Sequence, residues 1–180
     1  SLEDRPVALV TGGARRVGAA LCRALSASGY RVVIHCNRSH AEARGLQDEL
    51  GGAEYAAVLA ADLAKGGAGQ LACSAEKVFG RLDGIVNNAS TYRRKSLLAI
   101  SDSELREDLE VNFLAPFQMM REFARRVTSA TGRSSNELPE FTPIAVSIYK
   151  TRLVPKGLFP NHESTRKDTD FHRPAFSENQ

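Results

Sequence analysis

Residues 6–18 read Pro-Val-Ala-Leu-Val-Thr-Gly-Gly-Ala-Arg-Arg-Val-Gly, and this stretch decides the fold. It opens with an apolar run that ends at Thr11, which is typical of a strand buried on both faces. Apolar residues then recur at helical spacing from Arg16 to Ser28, and Gly29 is placed to end that helix. Between the two, glycines permit a tight turn, and a helix N-terminus offers unpaired N–H groups to a phosphate. The stretch therefore predicts a strand, an anion-binding turn and a helix.

The alternation of strand and helix continues outward from this stretch. Further strands are predicted over residues 30–35, 54–60 and 82–87, and further helices over 39–50, around 71–79 and from 101 to about 127. Ser39 with Glu42, and Ser101 with Glu104, have the spacing of a capping box, which marks a helix start. Four successive β-α units predict an α/β fold with a doubly wound parallel sheet, incomplete on its C-terminal side.

The composition of the chain is that of a globular protein. Of 180 residues, 42% are hydrophobic, and 24 basic against 21 acidic residues give a net charge of +3. This mild charge gives no reason to expect a nucleic acid or a membrane as partner, and no apolar run approaches the roughly 20 residues that span a bilayer. The three cysteines lack metal-ligand spacing, so we expect no metal site and a cytoplasmic protein with reduced thiols.

The sequence changes character near residue 130. Five of the seven prolines lie in residues 139–180, where no helical or strand period is sustained. We therefore predict a nucleotide-binding domain over residues 1–130 and a divergent tail over residues 131–180, for which partial disorder is one alternative. A truncated or frameshifted gene product is one origin that such a tail suggests.

The glycine turn supplies the first candidate binding residues. Its position between a first strand and a helix is that of a dinucleotide-binding turn. Two cations at its mouth suit phosphates or an anionic substrate. The candidates are Gly12, Arg15, Arg16, Val17 and Gly18.

The end of the second strand selects between the two nicotinamide cofactors. An NAD-preferring site normally carries an acidic residue there, which accepts hydrogen bonds from the ribose 2′-hydroxyl. This chain instead has His35-Cys36-Asn37-Arg38-Ser39, without a carboxylate. Arg38 and the Ser39 hydroxyl, helped by His35 and Asn37, would bind a 2′-phosphate, so the predicted cofactor is NADP(H). The alternative is that Arg38 is solvated and His35 packs in the sheet.

Together these motifs resemble the short-chain dehydrogenase/reductase family over residues 5 to about 127, and more narrowly its pteridine reductase branch. Most of the family has Gly at the position of Arg16, whereas that branch has Arg. The His-x-Asn-Arg-Ser stretch and Asn87-Asn88-Ala89-Ser90 after the fourth strand are similar to motifs of the same branch. The resemblance implies a Rossmann-type fold and a small-molecule substrate, a pterin or a similar carbonyl or imine.

The resemblance also implies individual roles. Asp62 and Leu63, after the third strand, would contact the adenine of the cofactor. Ser90 would bond the diphosphate, with Asn88 and Ala89 beside it.

The resemblance implies that two further residues face the substrate. Arg16 would touch the substrate or the cofactor phosphates. Tyr92 would stack on the pterin ring, and the alternative is an exposed loop tyrosine.

Asn112 lies four residues before Pro116 within the long predicted helix. In an α-helix the N–H of residue 116 would bond the carbonyl of residue 112, but proline has no N–H. We therefore expect a kink and a free carbonyl at Asn112, which suits a bound water. The resemblance implies a proton relay here, since Asn112 matches the Asn of the family's Asn-Ser-Tyr-Lys tetrad. The alternative is a proline that only bends the helix.

The proton donor that such a reaction requires is not found in the sequence. The family supplies it from a Tyr with a Lys four residues later on the same helix face. None of the four tyrosines has that Lys: the residues four positions later are Ile34, Leu59, Ser96 and Leu153.

Two other polar stretches bear on the chemistry. Ser147 lies in a candidate fifth strand over residues 141–148 and would stand where the family has its catalytic Ser. The loop with Arg93, Arg94 and Lys95 is predicted to be a solvated basic patch.

Three functions stay open at this point. The first is an NADP(H)-dependent oxidoreductase. The second is a module that binds NADP(H) without turnover. The third is a fragment whose exposed sheet edge drives association. A homo-oligomer is compatible with each of them.

Overall fold

The computed structural model describes residues 1–131 and 144–147 of the chain. Within these residues, five strands form one sheet in the order β3-β2-β1-β4-β5, and every neighbouring pair is parallel. The strands are β1 (Val7–Val10), β2 (Arg31–Cys36), β3 (Ala56–Ala60), β4 (Gly84–Asn87) and β5 (Ile144–Ser147). The helices are α1 (Arg16–Ala27), α2 (His40–Glu49), α3 (Ala68–Phe79), α4 (Asp102–Leu109) and α5 (Ala115–Thr131). The predicted doubly wound parallel sheet is confirmed.

Both faces of the sheet are buried, because alternate residues of a strand belong to different apolar clusters. Leu9 and Ile85 pack on one face with residues of α3 and α5. Val10 and Ile34 pack on the other face with residues of α1 and α2. All four residues of β1 are buried, which explains the unbroken apolar run in the sequence.

The helix ends follow the predicted caps in part. Ser101 and Glu104 make both hydrogen bonds of a capping box at α4, and Gly29 follows α1 with a φ of +90°. The capping box predicted at Ser39 is wrong, since the Ser39 side chain makes no hydrogen bond to α2. Its backbone, at φ −85° and ψ 54°, lies outside the extended region typical of a capping residue.

The long helix predicted from residue 101 is three consecutive segments. A π-helical turn, Glu110–Leu114, separates α4 from α5, and the N–H of Ala115 donates to the carbonyl of Glu110 five residues earlier. Pro116 explains the position of this turn, because it cannot donate to the carbonyl of Asn112. The irregularity expected at Asn112 is therefore a π-helical turn.

The predicted domain boundary at residue 130 stays a prediction. The described residues belong to one compact unit. Apart from residue 131 and β5, the predicted tail over residues 131–180 lies outside the described residues. The candidate strand over residues 141–148 contains β5, which pairs with β4.

Candidate cofactor-binding site

A cleft of about 660 Å³ opens where β1, β2, β3 and β4 end. In an open parallel sheet, ligands bind beyond the carboxyl ends of the strands, at the point where the strand order reverses. That point is β1, which lies between β2 and β4. The sequence-predicted residues that line the cleft are Gly12, Arg15, His35, Asn37, Arg38, Ser39, Asp62, Leu63, Asn88, Ala89 and Ser90.

The glycine turn forms the floor of the cleft and needs its glycines. Gly12 has a φ of +60°, and a Cβ there would lie 3.1 Å from the Cα of Ala89. A Cβ on Gly18 would lie 2.1 Å from the carbonyl oxygen of Gly12, so α1 packs directly on its own turn. At Gly12 and Gly18 the close contacts therefore leave no room for a side chain.

The N-terminus of α1 points a positive dipole end at the turn. Arg15 precedes the helix in extended conformation without capping it, and no acidic residue lies in the first turn. The first N–H groups of a helix lack helical partners and suit an anion. Arg16 has a φ of +52°, which is the only positive φ at a non-glycine residue within the described ranges. Glycine adopts such a φ without strain, which agrees with the expectation from the sequence that related proteins mostly have Gly at the position of Arg16.

Thr11 connects the turn to the end of β4, a role that sequence reasoning missed. Its hydroxyl oxygen accepts hydrogen bonds from the N–H groups of Asn88, at 2.9 Å, and Ala89, at 3.0 Å. The side-chain Nδ2 of Asn88 donates in return to the backbone carbonyls of Thr11 and Gly12. The Oδ1 of Asn88 is buried without a hydrogen-bond partner among the described residues.

His35 is buried at the end of β2, with 2% of its surface exposed. Its Nδ1 lies 3.1 Å from the Gly12 nitrogen, and its Nε2 lies 3.1 Å from the carbonyl oxygen of Ala61. Burial lowers the pKa of the imidazole, because the charged form loses its hydration. Both ring nitrogens are thus occupied by backbone groups, as the alternative of a His35 packed in the sheet requires.

Arg38 and Ser39 lie on the β2 side of the cleft with side chains that are not used elsewhere. Within residues 1–131, no hydrogen bond or ion pair engages the exposed guanidinium of Arg38. The Ser39 hydroxyl is not spent on capping α2. Nearby, the Nε of Arg15 is 3.6 Å from Glu42 of α2. This corner offers a cation and a hydroxyl to a ligand.

Asp62 and Leu63 form the wall beyond β3. Leu63 is buried at the start of a 3₁₀ turn, Leu63–Lys65. The Oδ1 of Asp62 accepts a hydrogen bond of 3.1 Å from the N–H of Ala64 and so fixes the turn.

Arg93 in the basic loop after β4 is half-buried and ion-paired, which corrects the prediction of a solvated patch at that residue, whereas Arg94 and Lys95 are exposed. Arg93 is 27% exposed and donates at 2.5 Å to Asp108, with a further ion pair to Glu107. Lys95 binds Glu104 at 2.5 Å. The prediction failed because these carboxylates lie on α4, nine or more residues further along the chain. Only the helix periodicity, which places acidic residues 104, 107 and 108 close together, could have indicated them.

Thr91 completes the attachment of this loop. Its hydroxyl donates to Asp108 at 2.7 Å, and its backbone exchanges two hydrogen bonds of 2.9 Å with the Asn112 side chain. Thr91, Arg93 and Glu107 line the cleft but are not among the binding residues predicted from the sequence.

Five predicted site residues are not among those that line the cleft: Arg16, Val17, Gly18, Tyr92 and Asn112. Tyr92 is 73% exposed, as the alternative of a loop tyrosine requires, and Val17 is 47% exposed. Ser147 is opposite Asn87 in the parallel register, at the end of β5.

Neither a metal site nor a membrane span is found in the part of the chain that the structure describes. No three His, Cys, Asp or Glu side chains there come together as metal ligands. No helix there is long and apolar enough to cross a bilayer.

Comparison with known proteins gives consistent matches. The family model described as short chain dehydrogenase matches residues 6–134. The chain is 33% identical to pteridine reductase 1 of Leishmania tarentolae, covering 68% of this chain and 54% of the relative. It is 34% identical to L-fucose dehydrogenase of Mus musculus, covering 84% of this chain and 55% of the relative.

Solved structures match at similar levels. FolM alternative dihydrofolate reductase 1 from Brucella suis in complex with NADP has a TM-score of 0.61 and 32% identity, over 67% of this chain and 50% of that one. A short chain dehydrogenase from Burkholderia cenocepacia in complex with NADP has a TM-score of 0.63 and 31% identity, over 67% of this chain and 50% of that one. The chain thus spans about half the length of the proteins that it matches.

Proposed function

The chain belongs to the short chain dehydrogenase family, and we propose that its cleft binds NADP(H) as the cofactor site of an oxidoreductase. The observation that carries this proposal is the corner formed by Arg38 and Ser39. It offers a cation and a hydroxyl where an NAD-preferring site would offer a carboxylate. Two solved structures that resemble the chain contain NADP, which supports the same cofactor.

The residues of the cleft fit the parts of such a cofactor. The uncapped N-terminus of α1 suits the diphosphate because its first N–H groups lack helical partners, and Gly12 and Gly18 carry no side chain that would block the approach. Arg38 and Ser39, with Asn37, would hold the 2′-phosphate through charge-assisted hydrogen bonds. Asp62 and Leu63 would flank the adenine.

The other end of the cleft would receive the nicotinamide. Asn88, Ala89 and Ser90 at the end of β4 line that end, and the buried Oδ1 of Asn88 accepts no hydrogen bond from the described residues. NADPH, when bound, supplies a hydride to a carbonyl or an imine. The carbonyl of Asn112, at the π-helical turn, is proposed to hold a water of the proton relay, and Ser147 to stand beside the reacting group.

A pterin or a similar flat carbonyl or imine compound is the proposed substrate class. The likeness to a pteridine reductase and to an alternative dihydrofolate reductase supports it. Tyr92 is exposed in the loop after β4, from which its ring could stack on such a substrate, and Arg16 could meet its negative charge. A cytoplasmic location and a homo-oligomer stay predictions.

Binding without turnover by this chain alone is the second candidate function. The observation that favours it is the absence of a Tyr with a Lys four residues later anywhere in the 180 residues. General acid catalysis contributes roughly 10²–10⁴-fold, so its loss would leave little activity. NADPH oxidation at 340 nm with dihydrobiopterin separates the two: steady turnover supports the enzyme, and binding without turnover supports the module.

The 2′-phosphate site is tested by titrating NADPH and NADH into the chain and following cofactor fluorescence. Arg38→Ala should weaken NADPH binding by about 1.5–3 kcal/mol, roughly 10- to 150-fold in Kd, and leave NADH binding nearly unchanged. Arg44→Ala removes the same charge from exposed α2 outside the cleft and serves as the matched control. Equal loss of affinity in both variants would sink the assignment of Arg38.

A further inference from the structure

His35 holds the glycine turn through both its side chain and its main chain. Its Nδ1 faces the Gly12 N–H at 3.1 Å, and its carbonyl accepts a hydrogen bond of 2.9 Å from the N–H of Gly13. On its other side, Nε2 faces the carbonyl of Ala61 at 3.1 Å. One residue thus connects β2, the turn and the end of β3.

Only one protonation form of the imidazole satisfies both side-chain contacts. The Gly12 nitrogen is a donor, so Nδ1 must carry no hydrogen, and the Ala61 oxygen is an acceptor, so Nε2 must carry one. In the imidazolium form both nitrogens carry hydrogens, and Nδ1–H would oppose the N–H of Gly12. Two donors at that separation repel each other, so the turn or the ring would have to move.

A shift of Gly12 would reach the cofactor site directly. A Cβ on Gly12 would be 3.1 Å from the Cα of Ala89, so the turn is already in close contact with the end of β4. The Gly12 carbonyl also accepts a hydrogen bond of 3.0 Å from Asn88. Both Asn88 and Ala89 line the cleft. A displacement of the turn would therefore change the floor of the cleft and its wall at the end of β4 together.

No charged group in the described residues offsets the proton on His35. The titratable side chains on the neighbouring elements are Arg15 of the turn, Cys36 and Arg38 at the end of β2, His40 and Glu42 of α2, and Asp62 and Lys65 at the 3₁₀ turn. Among the described residues, those of these groups that have a partner pair with one another or with the backbone, and none of them bonds to the imidazole. Burial without a carboxylate partner favours the neutral ring.

From these contacts we propose that neutral His35 is a positioning residue for the cofactor: it shapes the glycine turn for the diphosphate, and its protonation releases the turn and weakens binding. The inference rests on the NADP(H) site proposed above. It adds a requirement that the 2′-phosphate residues do not impose, because the diphosphate is common to NADPH and NADH. Acidification should therefore weaken the binding of both cofactors.

Two variants separate the two contacts of the ring. Asn places an amide oxygen near the position of Nδ1, so His35→Asn retains an acceptor for Gly12 and loses the contact with Ala61. Gln reaches further and places its amide near the position of Nε2. His35→Gln can therefore hydrogen-bond to the Ala61 carbonyl but offers the Gly12 N–H no acceptor. Circular dichroism at each pH verifies that the variants are folded.

The experiment measures Kd for NADPH and NADH between pH 8 and pH 5 in the three proteins. The unmodified chain should lose affinity for both cofactors below the imidazole pKa, approaching about tenfold per pH unit for one linked proton. His35→Asn should bind NADH with a nearly flat pH profile, and His35→Gln should bind weakly at every pH. NADH is the decisive ligand, because the 2′-phosphate of NADPH titrates in the same range.

Three outcomes would overturn the inference. They are equal pH profiles for NADH in the unmodified chain and His35→Asn, equal affinity in the two variants, and a hydrogen on Nδ1 in imidazole ¹⁵N NMR of the cofactor-free chain. The NMR result does not depend on whether the variants fold. If neither cofactor binds the folded, unmodified chain at pH 8, the proposed function itself fails and the inference falls with it. Binding with a flat pH profile overturns only the role of His35.

Discussion

Substituting Gly18 by Ala tests the close contact between α1 and the glycine turn. The new Cβ would lie 2.1 Å from the Gly12 carbonyl oxygen and 2.7 Å from the Asn88 amide nitrogen, so the helix and the turn must separate. Overpacking against a backbone atom this close costs about 2–3 kcal/mol, the upper part of the usual range, and the better helix propensity of Ala returns about 1 kcal/mol. A net loss of about 1–2 kcal/mol lowers Tm by roughly 2–8 °C in a chain of this size.

Gly45→Ala is the matched control for this change. Gly45 lies inside α2, and a Cβ there meets nothing within 4 Å. The control should gain about 0.5–1 kcal/mol, since Gly in a helix interior is less favourable than Ala. Thermal unfolding by circular dichroism and NADPH titration are measured on both variants. Gly18→Ala should lose both stability and NADPH affinity, and a Gly18→Ala protein with unchanged Tm and affinity would refute the packing argument.

Two further predictions concern the loop after β4. Arg93→Met removes the cation that joins Asp108 and Glu107, so urea unfolding should show a loss of about 1.5–3 kcal/mol, whereas Arg94→Met should change little; equal effects would contradict the assignment. Acidification should also destabilise the folded chain, because the hydrogen bond from Lys95 lowers the pKa of Glu104 from 4.5 to about 2. The unfolded chain then binds the proton first, so this contribution is present above pH 4.5 and is lost as the pH falls towards 2. Urea unfolding of Lys95→Met should show a smaller loss over that interval, and an unchanged loss would argue against this ion pair.

The fold follows from local sequence signals that are strong in this chain. The apolar run before Thr11 and the glycine turn after it are adjacent, so strand, turn and helix could be predicted from one short stretch. The parallel sheet follows from repetition of that unit, because a helix between two strands returns the chain to the same edge of the sheet, and such β-α-β connections are nearly always right-handed. The cleft lining follows in turn, since the carboxyl ends of parallel strands meet at one edge of the sheet.

The features that sequence reasoning missed depend on distance in space. Arg93 finds its partner at Asp108, and nothing in its own neighbourhood signals that pairing. The Nδ1 of His35 is an acceptor only because Gly12 lies beside it. The capping box at Ser39 failed because the backbone turns there in a conformation that the spacing of residues does not reveal. Pro116 did predict an irregular helix at Asn112, but a π-helical turn is one of several ways to accommodate a missing N–H.

The central claim is that NADPH binds in the cleft at the ends of β1 to β4, and a ¹H–¹⁵N NMR titration of the chain tests it most directly. If NADPH binds there, saturable shifts are expected in the amides of Gly13, Val17, Ser39 and Leu63, around the glycine turn and the two walls of the cleft. The amide of Lys77, which lies in α3 outside the cleft lining, should not move. The same titration with NADH should require a higher concentration. Shifts confined to other surfaces, or no shifts with a folded chain at saturating NADPH, would contradict the account.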